Sequence, residues 1–238
     1  MITGGRAVVV TGAAGVLGAA MVDAFLADGW AVMAGRHQRD VPPRDGRLRV
    51  VPLDVRREAD WAAAAAAVRE WGVPLGMVIH NAGVPAPGLL ARLGTEDWDA
   101  AMAVMARPLW CGTRAMAPLL AEAGGGHVLA VGSHAMRMGG AGQSAYAAAK
   151  AAMVGACRAL AGELAPDDIR VNVVLPGLLE GPMLDGLSGE ERRRRLGSTL
   201  LGRPNDPSEV ARFAVYLAGT RSVSGQVFAL DSRPMAWA

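Results

Sequence analysis

Residues 6–18 read RAVVVTGAAGVLG, and the change of pattern inside that stretch decides the fold. Ala7 to Val10 form a short apolar, β-branched run, the kind that makes a strand buried on both faces. The run stops at Thr11-Gly12, and beyond Gly18 the apolar residues Met21, Val22 and Phe25 recur at helical spacing. Strand, glycine-rich turn and helix in that order form half of a βαβ unit. Free N–H groups at the start of the helix point into the turn, and glycines let a charged group approach the backbone, so the turn suits a diphosphate. A plain βα turn with close helix packing is the alternative for this stretch taken by itself.

Outward from it, short β-branched runs alternate with longer Ala-rich stretches of helical period. Strands are predicted near 6–10, 30–34, 48–53, 75–80, 126–132, 168–174 and 226–230, and helices near 15–28, 57–71, 95–122, 144–164 and 207–218. This is the α/β class: a doubly wound, seven-stranded parallel sheet with helices on both faces. The alanine run Ala62 to Ala67 reads as an ordinary helix, with Trp61, Val68 and Trp71 supplying its packing stripe. A chain of 238 residues suits one well-buried core, so a single domain over 1–238 is expected. Glu180 to Arg203 breaks the pattern with Gly181-Pro182, Gly186, Gly189 and the run Arg192 to Arg195. It reads as a mobile insertion of the kind that closes over substrates.

Charge narrows the partners. With 24 basic and 22 acidic side chains, no overall field recruits nucleic acid or an anionic membrane. No apolar stretch reaches the roughly 20 residues of a membrane span, and a start that runs directly into Arg6-Ala-Val-Val-Val-Thr-Gly leads us to expect no secretory signal. Cys111 and Cys157 lie in apolar, helix-like contexts without CxxC spacing and read as reduced core thiols, which points to the cytoplasm. His37, His80, His127 and His134 show no metal-ligand spacing, so no metal is expected.

Further motifs follow the first: Asp54-Val55 after the third strand, His80-Asn81-Ala82-Gly83 after the fourth, Ser133, Tyr146-Ala-Ala-Ala-Lys150, Pro176-Gly177, and Gly225-Gln226-Val227. With TGAAGVLG they make the chain resemble the short-chain dehydrogenase/reductase family along nearly its whole length. The likeness is to its simple single-domain branch of 3-oxoacyl-carrier-protein reductases and related carbonyl reductases. The resemblance implies a nicotinamide cofactor whose pyrophosphate lies on Thr11, Gly12, Ala14, Gly15, Val16, Leu17 and Gly18. It puts Asp54 and Val55 at the adenine, Asn81, Ala82 and Gly83 along the cleft, and Pro176, Gly177 and Leu179 on the cofactor as well. Two departures stand out: Val16 occupies a position where relatives carry glycine, and Gly181 one where they often carry a threonine. At the end of the second strand stands Gly35 with Arg36, His37 and Arg39, so no carboxylate repels a 2′-phosphate. Arg36 can pair with that phosphate bidentately, which favours NADP(H) over NAD(H); a solvated basic turn is the other reading.

Tyr146 and Lys150 are four residues apart on a predicted helix, so their side chains share one face and can meet one ligand. Free tyrosine titrates near ~10, and a neighbouring ammonium favours the phenolate. By the resemblance, Ser133 bonds the substrate oxygen, Tyr146 gives or takes its proton, and Lys150 tunes Tyr146 and holds the nicotinamide ribose. Relatives also carry an asparagine where this chain has Met105, which bonds water poorly. Either the proton relay is weakened or it is rebuilt, for instance on a carbonyl freed by a kink at Pro108.

The substrate is expected to face His134, Met136, Met138, Gln143 and Leu184 in a mainly apolar pocket, with His134 either a contact or a bystander. Arg192 to Arg195 either recruit a phosphate-bearing carrier or form a solvated helix face, since consecutive residues point in several directions. The expected function is hydride transfer between nicotinamide and a small-molecule ketone or alcohol. A nucleotide-binding regulatory or scaffold protein and a lyase or isomerase of the same family are the alternatives. The long Ala- and Met-rich helices at 95–122 and 144–164 suggest, with the resemblance, a homodimer or homotetramer.

Overall fold

The computed structural model describes residues 5–44, 46–85 and 87–233. Residues 1–4, which the reading of the N-terminus takes in, and residues 234–238 lie outside them. The strands are β1 (Ala7–Val10), β2 (Ala31–Arg36), β3 (Leu48–Pro52), β4 (Leu75–His80), β5 (Gly126–Val131), β6 (Ile169–Leu175) and β7 (Val227–Ala229). They form a seven-stranded sheet in the order β3-β2-β1-β4-β5-β6-β7, each neighbouring pair parallel. Around it run α1 (Val16–Ala27), α2 (Glu58–Trp71), α3 (Thr95–Ala101), α4 (Arg107–Glu122), α5 (Ala135–Met138), α6 (Ser144–Glu163), α7 (Pro182–Asp185), α8 (Gly189–Gly197) and α9 (Pro207–Ala218). This is the doubly wound α/β architecture read from the sequence.

Side-chain alternation along β1 divides the core. Val8 and Val10 join Met21, Phe25, Val210 and Leu217 beneath α1 and α9. Ala7 and Val9 face the other way, toward Trp61, Leu109, Met116 and Met153 of α2, α4 and α6. Because β1 lies between β2 and β4, successive connections leave in opposite directions there. Their C-terminal ends open a crevice, the place where such sheets bind ligands.

The helix expected over 95–122 is instead three pieces: α3, a π-helical turn over Met102–Ala106, and α4. Pro108 supplies the reason. It has no N–H to give and its ring crowds the carbonyl four residues back, so the ladder widens by one residue just before it. The segment 180–203 carries α7 and α8, and Leu184, expected to face substrate, is buried at 2% exposure.

Two buried histidines pin the sheet. His80 Nε2 shares a hydrogen bond with Thr113 Oγ1 at 3.2 Å. The Asn172 amide donates to His127 Nε2 at 2.6 Å and to the Val223 carbonyl at 2.8 Å, and Asn172 Oδ1 accepts from the Gln226 N–H at 2.9 Å, tying β5, β6 and β7 together. Burial pushes both imidazoles down to about 3. In the unfolded chain they titrate near ~6.5, so the unfolded state binds more protons below that pH and stability falls as pH drops from about 6.5 toward 3. With both groups titrating the slope approaches about 2.7 kcal/mol per pH unit. Urea midpoints measured between pH 7 and 4.5 should decline accordingly, and His127→Gln should flatten the decline; a level profile in the parent protein refutes the burial argument.

Candidate active site

Thr11 closes the crevice. Its hydroxyl donates to the Ile79 carbonyl at 3.1 Å and accepts from the N–H groups of Asn81 at 2.9 Å and Ala82 at 3.0 Å. The Asn81 amide donates back to the carbonyls of Thr11 and Gly12 at 3.0 and 3.2 Å. The two turns quoted from the sequence are thereby locked to each other. Gly12 has φ +63, and a Cβ there would lie 3.0 Å from the Ala82 backbone. At the start of α1, Gly15 gives no side-chain cap and the first turn holds no acidic residue. The positive end of the helix is thus left uncompensated by the chain, a donor set that fits a diphosphate. Ala14, Val16 and Leu17 belong to this rim, and Val16 is 43% exposed. A Cβ at Gly181, whose φ is +135, would lie 3.0 Å from Val16 Cγ2. The two departures from the family pattern therefore touch: the branched side chain at 16 packs over bare backbone at 181.

At the far end of the crevice Arg36 pairs with Asp40 at 3.0 Å on the surface. Asp54 is clamped by Arg56 at 2.6 Å and approached by His37 Nε2 at 3.6 Å. The Arg56 hydrogen bonds hold the Asp54 carboxyl down to about 2, against a smaller opposing effect of burial. Arg56 escaped the sequence reading although it stands two residues from Asp54. Val55 is buried, its carbonyl taking the Trp61 indole N–H at 2.9 Å. Pro176 and Gly177 are fixed by the Asn205 amide, which donates to the Pro176 carbonyl at 3.0 Å, and Leu179 bridges to Asn205.

Ser133, Tyr146 and Lys150 come together at the C-terminal end of β5. The Ser133 hydroxyl stands near Tyr146 and favours its phenolate, and Ser133 Oγ accepts from the Ala135 N–H at 3.2 Å. Lys150, 3% exposed, donates to the Val131 carbonyl at 2.6 Å, with its Nζ 5.9 Å from the Tyr146 ring centroid. Burial lowers the ammonium to about 8. Tyr146 is raised from its ordinary value because burial disfavours the phenolate, an effect that exceeds the opposing pull of the Ser133 hydroxyl. The charge of Lys150 is legible in the sequence, whereas this burial is not. Gly83 lies against the same lysine: a Cβ there would meet Lys150 Nζ at 3.8 Å and Met105 Sδ at 3.9 Å. Met105, 1% exposed, thus sits in the π turn beside Lys150.

The expected substrate contacts divide. Gln143 lines an open cleft beside α6, and His134 is half-buried, its imidazole lowered by burial and by Arg233. Met136 packs onto Gly132, its Sδ 3.5 Å from where a Cβ would be, while Met138 is largely exposed. Arg233, missed in the sequence, lines the same cleft as Gln143. Its only signal was position, just past the last strand.

Comparison with known proteins places the chain in a family. A family model described as enoyl-(acyl carrier protein) reductase matches residues 12–232. The 3-oxoacyl-[acyl-carrier-protein] reductase of Thermotoga maritima is 32% identical over 95% of this chain and 96% of its own length. A 3-alpha-(or 20-beta)-hydroxysteroid dehydrogenase of Mycobacterium bovis is 32% identical over 98% of this chain and 90% of its own. A solved chain from Agrobacterium tumefaciens, provisionally named a gluconate dehydrogenase, superposes with a TM-score of 0.87 at 24% identity over 97% of this chain and 96% of that one, a likeness of fold. Among the described residues, no helix is long and apolar enough to cross a membrane. From the doubly wound sheet, the paired turns at the crevice and these full-length matches, the chain belongs to the short-chain dehydrogenase/reductase family.

Proposed function

We propose that the protein is a nicotinamide-dependent oxidoreductase that interconverts a small-molecule ketone and its alcohol, with NADP(H) favoured over NAD(H). The observation that carries the reading is the gathering of Ser133, Tyr146 and Lys150 at the C-terminal end of β5, with Lys150 Nζ 5.9 Å from the Tyr146 ring centroid, next to a crevice that fits a diphosphate. The activities for which the relatives are named, on 3-oxoacyl and hydroxysteroid compounds, support the carbonyl–alcohol chemistry. When bound, the reduced cofactor supplies a hydride to the carbonyl carbon. Ser133 positions the carbonyl oxygen, and Tyr146, kept protonated by its burial, gives that oxygen its proton. Lys150 supplies positive charge that stabilises the phenolate left when Tyr146 has given up its proton.

Cofactor choice rests on Arg36. Its partner Asp40 is 89% exposed, and a surface pair of this kind is weak, so a 2′-phosphate can take over the guanidinium with little loss. The test is a carbonyl and alcohol panel followed by absorbance of the reduced nicotinamide, beside titration of both cofactors. NADPH should be consumed one for one with carbonyl. Arg36→Asp should cut the NADPH-to-NADH affinity ratio by roughly tenfold or more. An unchanged ratio removes Arg36 from the phosphate site. NADPH binding with no turnover across the panel assigns the chain a nucleotide-binding role without catalysis.

A further inference from the structure

Between α8, the loop entering α6 and the stretch after β7 lies a cleft of about 370 Å³, within the size range of small-molecule sites. Ala141 and Leu178 make its apolar wall, and Arg194, Arg195 and Arg233 line it together with Glu191. Arg194 and Arg195 both bind Glu191, at 2.6 and 2.7 Å. Two guanidiniums carry ten N–H donors and one carboxylate cannot occupy them, so Glu191 fixes the two forks while leaving donors for a further anion. Arg233 is paired with Asp231, whose side chain is 2% exposed.

Arginines in the last turn of a helix, with an acid one turn earlier, also arise simply to complement the helix dipole. That account covers Arg194 and Arg195. It does not explain why Arg233, from a distant segment tied to this one by the Leu200 N–H to Ser232 carbonyl bond at 3.0 Å, brings a third cation to the same cleft. Three guanidiniums against Glu191 and Asp231 leave one positive charge in excess.

Two residues of the cleft wall connect it to the neighbourhood of the reacting groups. Gln143 in its wall is the N-cap of α6 and stands one turn before Tyr146. Arg233 acts electrostatically on His134, the neighbour of Ser133. We propose that this cleft seats a carboxylate at the far end of the substrate whose carbonyl lies at Ser133 and Tyr146, so that the substrates are oxo acids and their hydroxy acids. The inference rests on the oxidoreductase reading above for its reacting end.

A ladder of straight-chain oxo acids and their methyl esters tests it, with wild type and Arg194→Met/Arg195→Met assayed for NADPH oxidation and for equilibrium binding by calorimetry. At the best chain length the acid should exceed its ester in kcat/KM by roughly tenfold or more, and the double variant should lose that ratio. Arg195→Lys, which keeps the charge and removes the planar fork, should lose part of it, and normal NADPH affinity in each variant shows that the fold is intact. An acid-to-ester ratio near one in wild type, or one unchanged in the double variant, overturns the carboxylate seat and leaves the oxidoreductase reading standing. If nothing is turned over, that reading has failed, and calorimetry still decides: acid binding abolished in the double variant supports the seat, and no acid binding refutes it. Inorganic phosphate that binds where no oxo acid does also overturns the carboxylate assignment.

Discussion

Tyr146→Phe should lower turnover of any carbonyl the protein reduces by roughly two to four orders of magnitude, with NADPH affinity and thermal stability nearly unchanged. The ring is half-buried and packed against the core, and Phe keeps that packing while removing the hydroxyl. Burial raises the phenol above its ordinary value, so at neutral pH the group is a proton donor, as reduction requires. In the oxidative direction it must first lose that proton. The Ser133 hydroxyl favours the phenolate, and the Lys150 ammonium, 5.9 Å from the ring centroid, carries charge of the helpful sign. The loss should appear in kcat. Residual turnover above roughly a tenth of wild type would show that another group carries the proton, whereas a fall in melting temperature equal to the loss of activity would mark Tyr146 as structural.

What the sequence conveyed well was whatever depends on local spacing. β1 was legible because three valines in a row do not suit a helix, and Tyr146 and Lys150 were legible because four residues make one helical turn. The quantities that depend on what packs against a group were not. Lys150 sits next to Tyr146 as its spacing requires, yet the burial that dominates the tyrosine comes from elements far away in the chain. Leu184 looked like a pocket residue within a glycine-rich segment and is instead covered. Pro108 announced a disturbance in the long helix, and the structure gives its form, a π turn that brings Met105 beside Lys150. The convergence of Arg233 with Arg194 and Arg195 joins two segments that no local pattern links.

Glycines in the first turn show the same limit and yield the second large effect. All three read alike in TGAAGVLG, but their surroundings differ. A Cβ at Gly18 would lie 2.1 Å from the Gly12 carbonyl oxygen and 2.8 Å from Ala13 Cα, both backbone atoms. At Gly15 the nearest atom is 3.3 Å away, and its φ of −79 suits any residue. Gly12 lies between, with a positive φ and a contact of 3.0 Å. Gly18→Ala must therefore push α1 away from the turn, and because that helix start carries the N–H groups proposed to face the diphosphate, stability and cofactor affinity should fall together. The expected loss is about 2 kcal/mol or more of folding stability, with NADPH binding weakened by roughly tenfold or more as the donors lose their alignment. Gly15→Ala should cost no more than about 1 kcal/mol, the difference between glycine and alanine at an N-cap. Urea midpoints and NADPH titrations on both variants decide the matter. Equal midpoints would mean that α1 can shift without strain, and the close approach at Gly18 would then not be what holds the cofactor turn in shape.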